Sequence, residues 1–235
     1  MSNAVAIARV KKMLPPPVYS DWQLRGEMRS VPDTTGFSLS YSTVPLMDPN
    51  SWQNVLRQDP NVANAVTTKL LRMSINFRYV LRQSQRAQMS LFIVTLRKDA
   101  VNKNIGGLID GEDYVRGFEG YQVRLNPSVF KVHYARDVSL SANGWDTQPF
   151  SAGGLTLTSN SYFTFKKGQV NLKCNHQIRE PTGIQPWKDM TIDNFGYYQK
   201  YWLLCFFYQF APLVTDVSAV ASVEYDALMT TYNAG

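Results

Sequence analysis

The stretch Leu71-Arg-Met-Ser-Ile-Asn-Phe-Arg-Tyr-Val-Leu-Arg82 puts an apolar residue at every odd position and a polar one at every even position except Val80. Successive side chains of a strand point to opposite faces, so the pattern demands a half-buried β-strand with one dry and one wet face. The dry face is predicted to hold Leu71, Met73, Ile75, Phe77, Tyr79 and Leu81, and the wet face presents Arg72, Arg78 and Arg82 in a row. After a short polar turn, Met89 to Leu96 is continuously apolar, as expected of a strand buried on both sides, and the two are predicted to pair antiparallel.

Other segments follow the same period. Phe37 to Val44 reads as a strand in which Phe37, Leu39 and Tyr41 alternate with Ser38, Ser40 and Ser42. Phe130, Val132, Tyr134, Val138 and Leu140 alternate in a strand broken on its apolar side by Arg136 alone. Phe163 to Cys174 alternates on either side of Lys167-Gly168, where the phase slips by one residue and Gly168 is expected to mark a bulge. Trp202 to Tyr208 reads as a central strand and Ala219 to Tyr232 as a long final one, while Asp48 to Val66 reads as a long loop carrying a short helix. The predicted core adds Phe130, Val132, Tyr134, Phe206 and Val223 to the odd positions of 71–81. Seven or eight strands with little helix make an all-β, two-sheet antiparallel sandwich. Thirteen Tyr, 12 Phe and 5 Trp suit such a fold.

One domain accounts for 235 residues. Residues 1–33, with Pro15-Pro16-Pro17 stiffening their middle, are predicted to be an amino-terminal arm and residues 34–235 the domain itself. No apolar run is long enough for a membrane helix, so membrane insertion is not expected. Met1 to Met13 places weak hydrophobics before Arg9, Lys11 and Lys12, the inverse of a secretory leader.

Charge is unevenly spread. From Lys69 to Lys103 there are eight Lys or Arg against Asp99, a net +7, whereas the remainder of the chain carries 16 basic and 17 acidic residues. A localised basic field is the footprint of a polyanion partner. The candidate nucleic-acid-binding residues are therefore Arg72, Arg78 and Arg82, with Arg9, Lys11 and Lys12 from the arm. The rival reading is a subunit contact in which these arginines pair with Asp110, Glu112 or Asp113.

Enzymatic chemistry finds little support. His133 and His176 are the only histidines, and neither adjoins a nucleophile motif. Cys174-Asn-His176 offers two soft ligands where zinc needs three or four, so no metal or cofactor is expected and the cysteines Cys174 and Cys205 read as buried free thiols. Gly106-Gly107 and Gly153-Gly154 lack the context of a phosphate loop. The carboxylates Asp110, Glu112 and Asp113 read as a solvated loop, with a divalent cation at a subunit contact as the functional alternative.

The order of these features resembles the coat proteins of small circular single-stranded DNA viruses, the geminivirus and circovirus group. The resemblance rests on Leu70 to Lys98, a basic alternating strand followed by an apolar one; on Asn126 to Ser141; on Phe163-x-Phe-Lys-Lys to Asn175; on Tyr201 to Tyr208; and on Ala221 to Asp226. It covers roughly residues 65–233. It implies a single eight-stranded jelly roll with long inter-strand loops, a capsid structural protein without catalysis, self-assembly of many copies into an icosahedral shell, and packaging of a nucleic-acid genome, single-stranded DNA in that group. It further implies location in the virion and, during assembly, in the host cell and its nucleus. The chain departs from that group in its amino terminus, where Met1 to Ser20 holds only Arg9, Lys11 and Lys12 in place of a long basic arm. The alternative is a β-sandwich module binding carbohydrate or nucleic acid, with aromatics such as Trp145 and Trp187 stacking on ligand. Long loops at 48–66, 102–125 and 141–160 are expected to make the subunit contacts of a shell.

Overall fold

The structure, a computed structural model, describes residues 18–30, 38–48, 67–82, 86–117, 122–141, 150–152, 155–157, 163–179, 191–209 and 221–234. These contain twelve strands: β1 (Val18–Arg29), β2 (Ser38–Pro45), β3 (Thr67–Arg82), β4 (Arg86–Leu96), β5 (Tyr114–Arg116), β6 (Val123–Leu125), β7 (Phe130–Ser141), β8 (Phe150–Ala152), β9 (Leu155–Leu157), β10 (Phe163–Arg179), β11 (Trp202–Gln209) and β12 (Ala221–Ala234). Eight long strands form two four-stranded sheets, in the orders β1-β12-β3-β10 and β2-β11-β4-β7, and the four short ones form the hairpins β5-β6 and β8-β9. All pairings within the two large sheets are antiparallel. Successive long strands alternate between the sheets, with β4 and β7 the only consecutive pair in one sheet.

The all-β sandwich expected from the alternation is present, and the eighth long strand comes from the segment expected to be an arm. Residues 18–29 form β1, paired with β12 along its full length from Val18↔Asn233 to Arg29↔Ser222. Trp22, Leu24 and Met28 are buried between the sheets, while Asp21, Arg25 and Arg29 face water. The same period-two rule that identifies β3 therefore operates here, beyond the proline run.

β3 behaves as its sequence requires from Met73 onward. Met73, Ile75, Phe77, Tyr79 and Leu81 are buried in the inter-sheet core. The exception is Leu71, which is only half-buried: the ladder with β12 pairs Arg72 with Thr230 and then Leu70 with Thr231, so Leu71 is an extra residue and Leu70 takes the inward place. A bulge here inverts the pleat. The same break appears on the other side, where the β10 ladder jumps from Lys173 to His176 and Asn175 adopts φ +53°. The bulge expected at Gly168 is absent, since Gly168 pairs with Phe77 in an unbroken register from Phe163 to Lys173. The apparent slip arises because Phe165 lies on the outer face, 47% exposed, while Val170 and Leu172 pack on the core.

A second apolar cluster lies on the far side of the β2-β11-β4-β7 sheet. Phe92, Val94, Leu96, Phe130, Leu204 and Phe206 are covered there by Ile105, Leu108, Tyr114 and Val123 of the segment between β4 and β7. Phe130 and Phe206 are core residues as expected, yet they belong to this cluster. Val132, expected in the core, is 44% exposed, because a bulge in β7 between the partners of Ile93 and Val94 rotates it outward. The described parts of this segment, 102–117 and 122–125, thus fold back on the chain's own sheet. Tyr41 fastens it: the phenol accepts from the Leu108 N–H at 2.7 Å and donates to the Gly106 carbonyl at 3.0 Å. Asp113 is not a solvated loop residue either. It is buried, receives the Ile109 N–H at 2.7 Å and pairs with Lys103 at 2.7 Å. Most of the loop at 48–66 and most of the region at 141–160 lie outside the described residues, as does the helix expected within 48–66.

Candidate nucleic-acid interface

Inward positions of β3 fix its outward ones. Arg72, Ser74, Asn76 and Arg78 stand on the outer face of the β1-β12-β3-β10 sheet, with Arg72, Asn76 and Arg78 exposed. Directly opposite on β10 are Lys173, Asn171, Gln169 and Lys167, in that order. The register therefore sets Arg72 against Lys173 and Arg78 against Lys167, two like-charge pairs about 20 Å apart along the strand at ~3.4 Å per residue. Like charges directly opposite across an antiparallel pair destabilise it. Between them lies an uncharged polar strip, Ser74 donating to the Asn171 amide oxygen at 2.6 Å.

On the other half of the sheet each arginine has a carboxylate partner, and one carboxylate reaches across to β3. Arg25 pairs with Asp226 at 3.3 Å, Arg29 with Glu27 at 2.8 Å and Arg78 with Glu224 at 2.5 Å. Arg78 thus has a carboxylate from the neighbouring strand, not from Asp110, Glu112 or Asp113, whose partners are Arg116 for Asp110 and Lys103 for Asp113. Arg72 reaches only the neutral Thr230 hydroxyl at 3.4 Å. Among the described residues, Arg72, Lys167 and Lys173 have no carboxylate within ion-pair distance. The sheet carries a charge gradient: β1 and β12 hold Arg25 and Arg29 against Asp21, Glu27, Glu224 and Asp226, a net −2, and the charge turns positive on β3 and β10.

The structure places Arg72 and Arg78 on one face of β3, as their spacing predicts. Arg82 ends β3 opposite Phe163, but its side chain, like Arg9, Lys11 and Lys12, lies outside the described residues. Lys167 and Lys173 were not among the candidates, although the polar alternation Lys167, Gln169, Asn171, Lys173 is itself a readable signal for an outer strand face.

The residues weighed for metal or proton chemistry also converge. The Thr95 hydroxyl lies 2.9 Å from His133 Nε2, the Tyr201 hydroxyl 2.8 Å from His176 Nε2, and the His133 and Tyr201 rings are 4.9 Å apart. Burial, reinforced by Lys131 and then His176, lowers the His133 pKa to about 4, and burial with Lys131 lowers that of His176. Burial pushes the Cys174 thiol up to about 11. Both cysteines are buried and free. No group of three or more His, Cys, Asp or Glu side chains suited to a metal ion occurs among the described residues.

No family model matches the chain, and no curated protein is significantly similar to it. Solved structures are. The chain aligns with one described as Desmodium yellow mottle tymovirus at 9% identity and a TM-score of 0.38, over 94% of this chain and 90% of that one. It aligns with the decameric BFDV capsid protein at 9% identity and a TM-score of 0.37, over 93% of this chain and 99% of that one.

Proposed function

We propose that the chain is a jelly-roll capsid subunit, which closes with many copies of itself into an icosahedral shell and holds a nucleic-acid genome, single-stranded DNA, against the outer face of β3 and β10. The supporting observation is the strand order. Two facing sheets ordered β1-β12-β3-β10 and β2-β11-β4-β7, wound by strands that alternate between them, match the double Greek key by which a jelly roll is built. Jelly rolls serve lectins and metal enzymes as well as viral shells, so the fold alone does not choose among them. The choice rests on charge: Arg72, Lys173, Arg78 and Lys167 stand opposed without enough carboxylate to balance them, an arrangement relieved by phosphates. Assembly contacts fall on the cover between β4 and β7, which presents Val101, Ile109 and Val115 to solvent at 45%, 49% and 49% exposure. This reading places the protein in the virion and, before that, in the nucleus of the host cell.

Light scattering and negative-stain electron microscopy of the purified chain test the assembly. Closed particles of megadalton mass carrying nucleic acid are expected, and a monodisperse 26.7 kDa monomer at all concentrations would instead favour a β-sandwich binding module. Changing Arg72, Arg78 and Lys167 together to Gln should leave particles intact, lower their nucleic-acid content, and reduce the log-log salt slope by roughly 0.7 for each single-strand phosphate no longer neutralised.

A further inference from the structure

One end of the sandwich holds a cavity of about 610 Å³ that the outer face of β3 and β10 does not use. It is built where β4 ends, β7 begins and β10 passes its bulge, beside the turn at 195–201. The break in β10 turns the strand here, and the Gly196 N–H, held by the Gln199 side chain at 2.9 Å, sets the path of the tyrosines that follow. Arg97, Lys98, Lys131 and Lys173 line it, with Asp99 the sole acid of the lining, and among the described residues none of the four cations makes an ion pair. Arg97 is steadied by the Pro127 carbonyl, which accepts from Nε at 3.2 Å. At neutral pH His133 and His176 are uncharged and add polar edges without further repulsion.

The same cavity is lined by Tyr197, Tyr198 and Tyr201. Tyr201 is buried and committed to His176. Tyr198 is not so confined: half its surface is exposed, and its ring is in T-shaped contact with the rings of Tyr197, at a centroid distance of 5.4 Å, and His176, at 5.5 Å. An exposed ring in T-shaped contact with two neighbours, beside four cations without ion pairs, is the combination used for single-stranded nucleic acid, where bases stack and phosphates are neutralised. The volume is within the range of small-ligand sites.

We infer that this cavity is a nucleotide-binding site for single-stranded nucleic acid, in which a base stacks on Tyr198 and its flanking phosphates are held by Arg97, Lys98 and Lys131. The inference rests on the nucleic-acid part of the proposed function, but Lys173 alone is common to the two surfaces. Lys173 stands on the outer face of β10 and in the cavity wall, so a strand crossing the outer face arrives at the pocket.

The test uses the full chain and an eight-residue oligothymidylate carrying one 5-iodouracil, with photo-crosslinking and peptide mass spectrometry. Crosslinks at Tyr197 or Tyr198 are expected. Tyr198→Ala should weaken binding at least about fivefold while Tyr198→Phe, which keeps the ring, binds as the parent does. Lys98→Gln with Lys131→Gln should reduce the salt slope by roughly 1.4. Binding that survives all three substitutions but is abolished by Arg72→Gln with Lys167→Gln overturns the pocket and leaves the outer face standing. Binding abolished in the pocket variants alone overturns the outer face instead. A heparin octasaccharide that displaces the oligonucleotide and binds Tyr198→Ala as tightly as the parent assigns the cations to a sulfated glycan and overturns the inference.

Discussion

The guanidinium of Arg136 lies over the ring of Tyr79, 5.8 Å from its centroid, in a space left open by Gly168. Arg136 is the residue that interrupts the apolar alternation of β7, and Gly168 is the one that interrupts the alternation of β10. The two irregularities explain each other. β7 and β10 are each one of the two edge strands of their sheet, and Arg136 reaches from one to the other with its stem while its charge rests on an aromatic face. A Cβ at position 168 would stand 2.6 Å from Arg136 Nη1 and 3.2 Å from Tyr79 Cε2.

Gly168→Ala is therefore expected to destabilise the fold by about 1 kcal/mol, the value of a displaced cation–π contact less the gain from replacing a strand glycine. In an Arg136→Ala background the same substitution should be neutral or stabilising. Urea titration of the four proteins of the cycle measures the difference, and equal effects in both backgrounds would break the link between these residues.

Phe77 is 3% exposed, stacks on Tyr134 at 6.2 Å and lies opposite Gly168, so Phe77→Ala should cost about 3 to 5 kcal/mol through forfeited transfer energy and a cavity. Val132→Ser, at a position whose sequence pattern promises a core residue but whose side chain faces water, should stay within about 0.5 kcal/mol. Chemical denaturation reads both, and similar costs at the two sites would mean that the β7 bulge is misplaced.

Lys167→Glu should separate stability from function. It turns the repulsion with Arg78 into an attraction and should stabilise the sheet by about 0.2 to 1 kcal/mol. The same change should lower nucleic-acid binding, since it removes a cation and adds an anion on the proposed path. A variant that is both less stable and unimpaired in binding would contradict the assigned face.

His133 predicts a pH dependence of defined sign. Its pKa falls from 6.5 when unfolded to about 4 when folded, so between these values the unfolded chain binds more protons. Stability should decline as the pH drops from about 6.5 to about 4 and this contribution should flatten below. Thermal melts across that window should show a shallower decline for His133→Gln than for the parent, although carboxylates titrate in both. A parallel decline would place the histidine in water.

The segment at 71–82 was the most legible part of the chain because its signal is local: with a period of two, one buried face dictates the other, and five of its six predicted core residues are buried. The β1 strand, with Trp22, Leu24 and Met28 inward, was equally periodic, but the prolines before it and its place near the terminus suggested an arm. Its pairing with β12, about two hundred residues away, is what makes it part of the sandwich. Leu71, Val132 and Gly168 were misassigned for a common reason. A bulge or a close approach belongs to the pair of strands, and neither strand carries the information alone.

The sequence by itself determined the all-β class, the inward face of β3 from Met73, and the excess of positive charge on its outer face, since these follow from alternation and composition within a few residues. Only the tertiary structure decided which charges meet. Register sets Arg78 between Glu224 and Lys167, and Arg72 beside Lys173; folding of the cover buries Asp113 against Lys103; and the bulge in β10 brings His176 to Tyr201 and Lys173 to the rim of the cavity. Each of these contacts joins residues distant in the chain, and a charge has consequences only through the neighbours at the end of its few ångströms of reach.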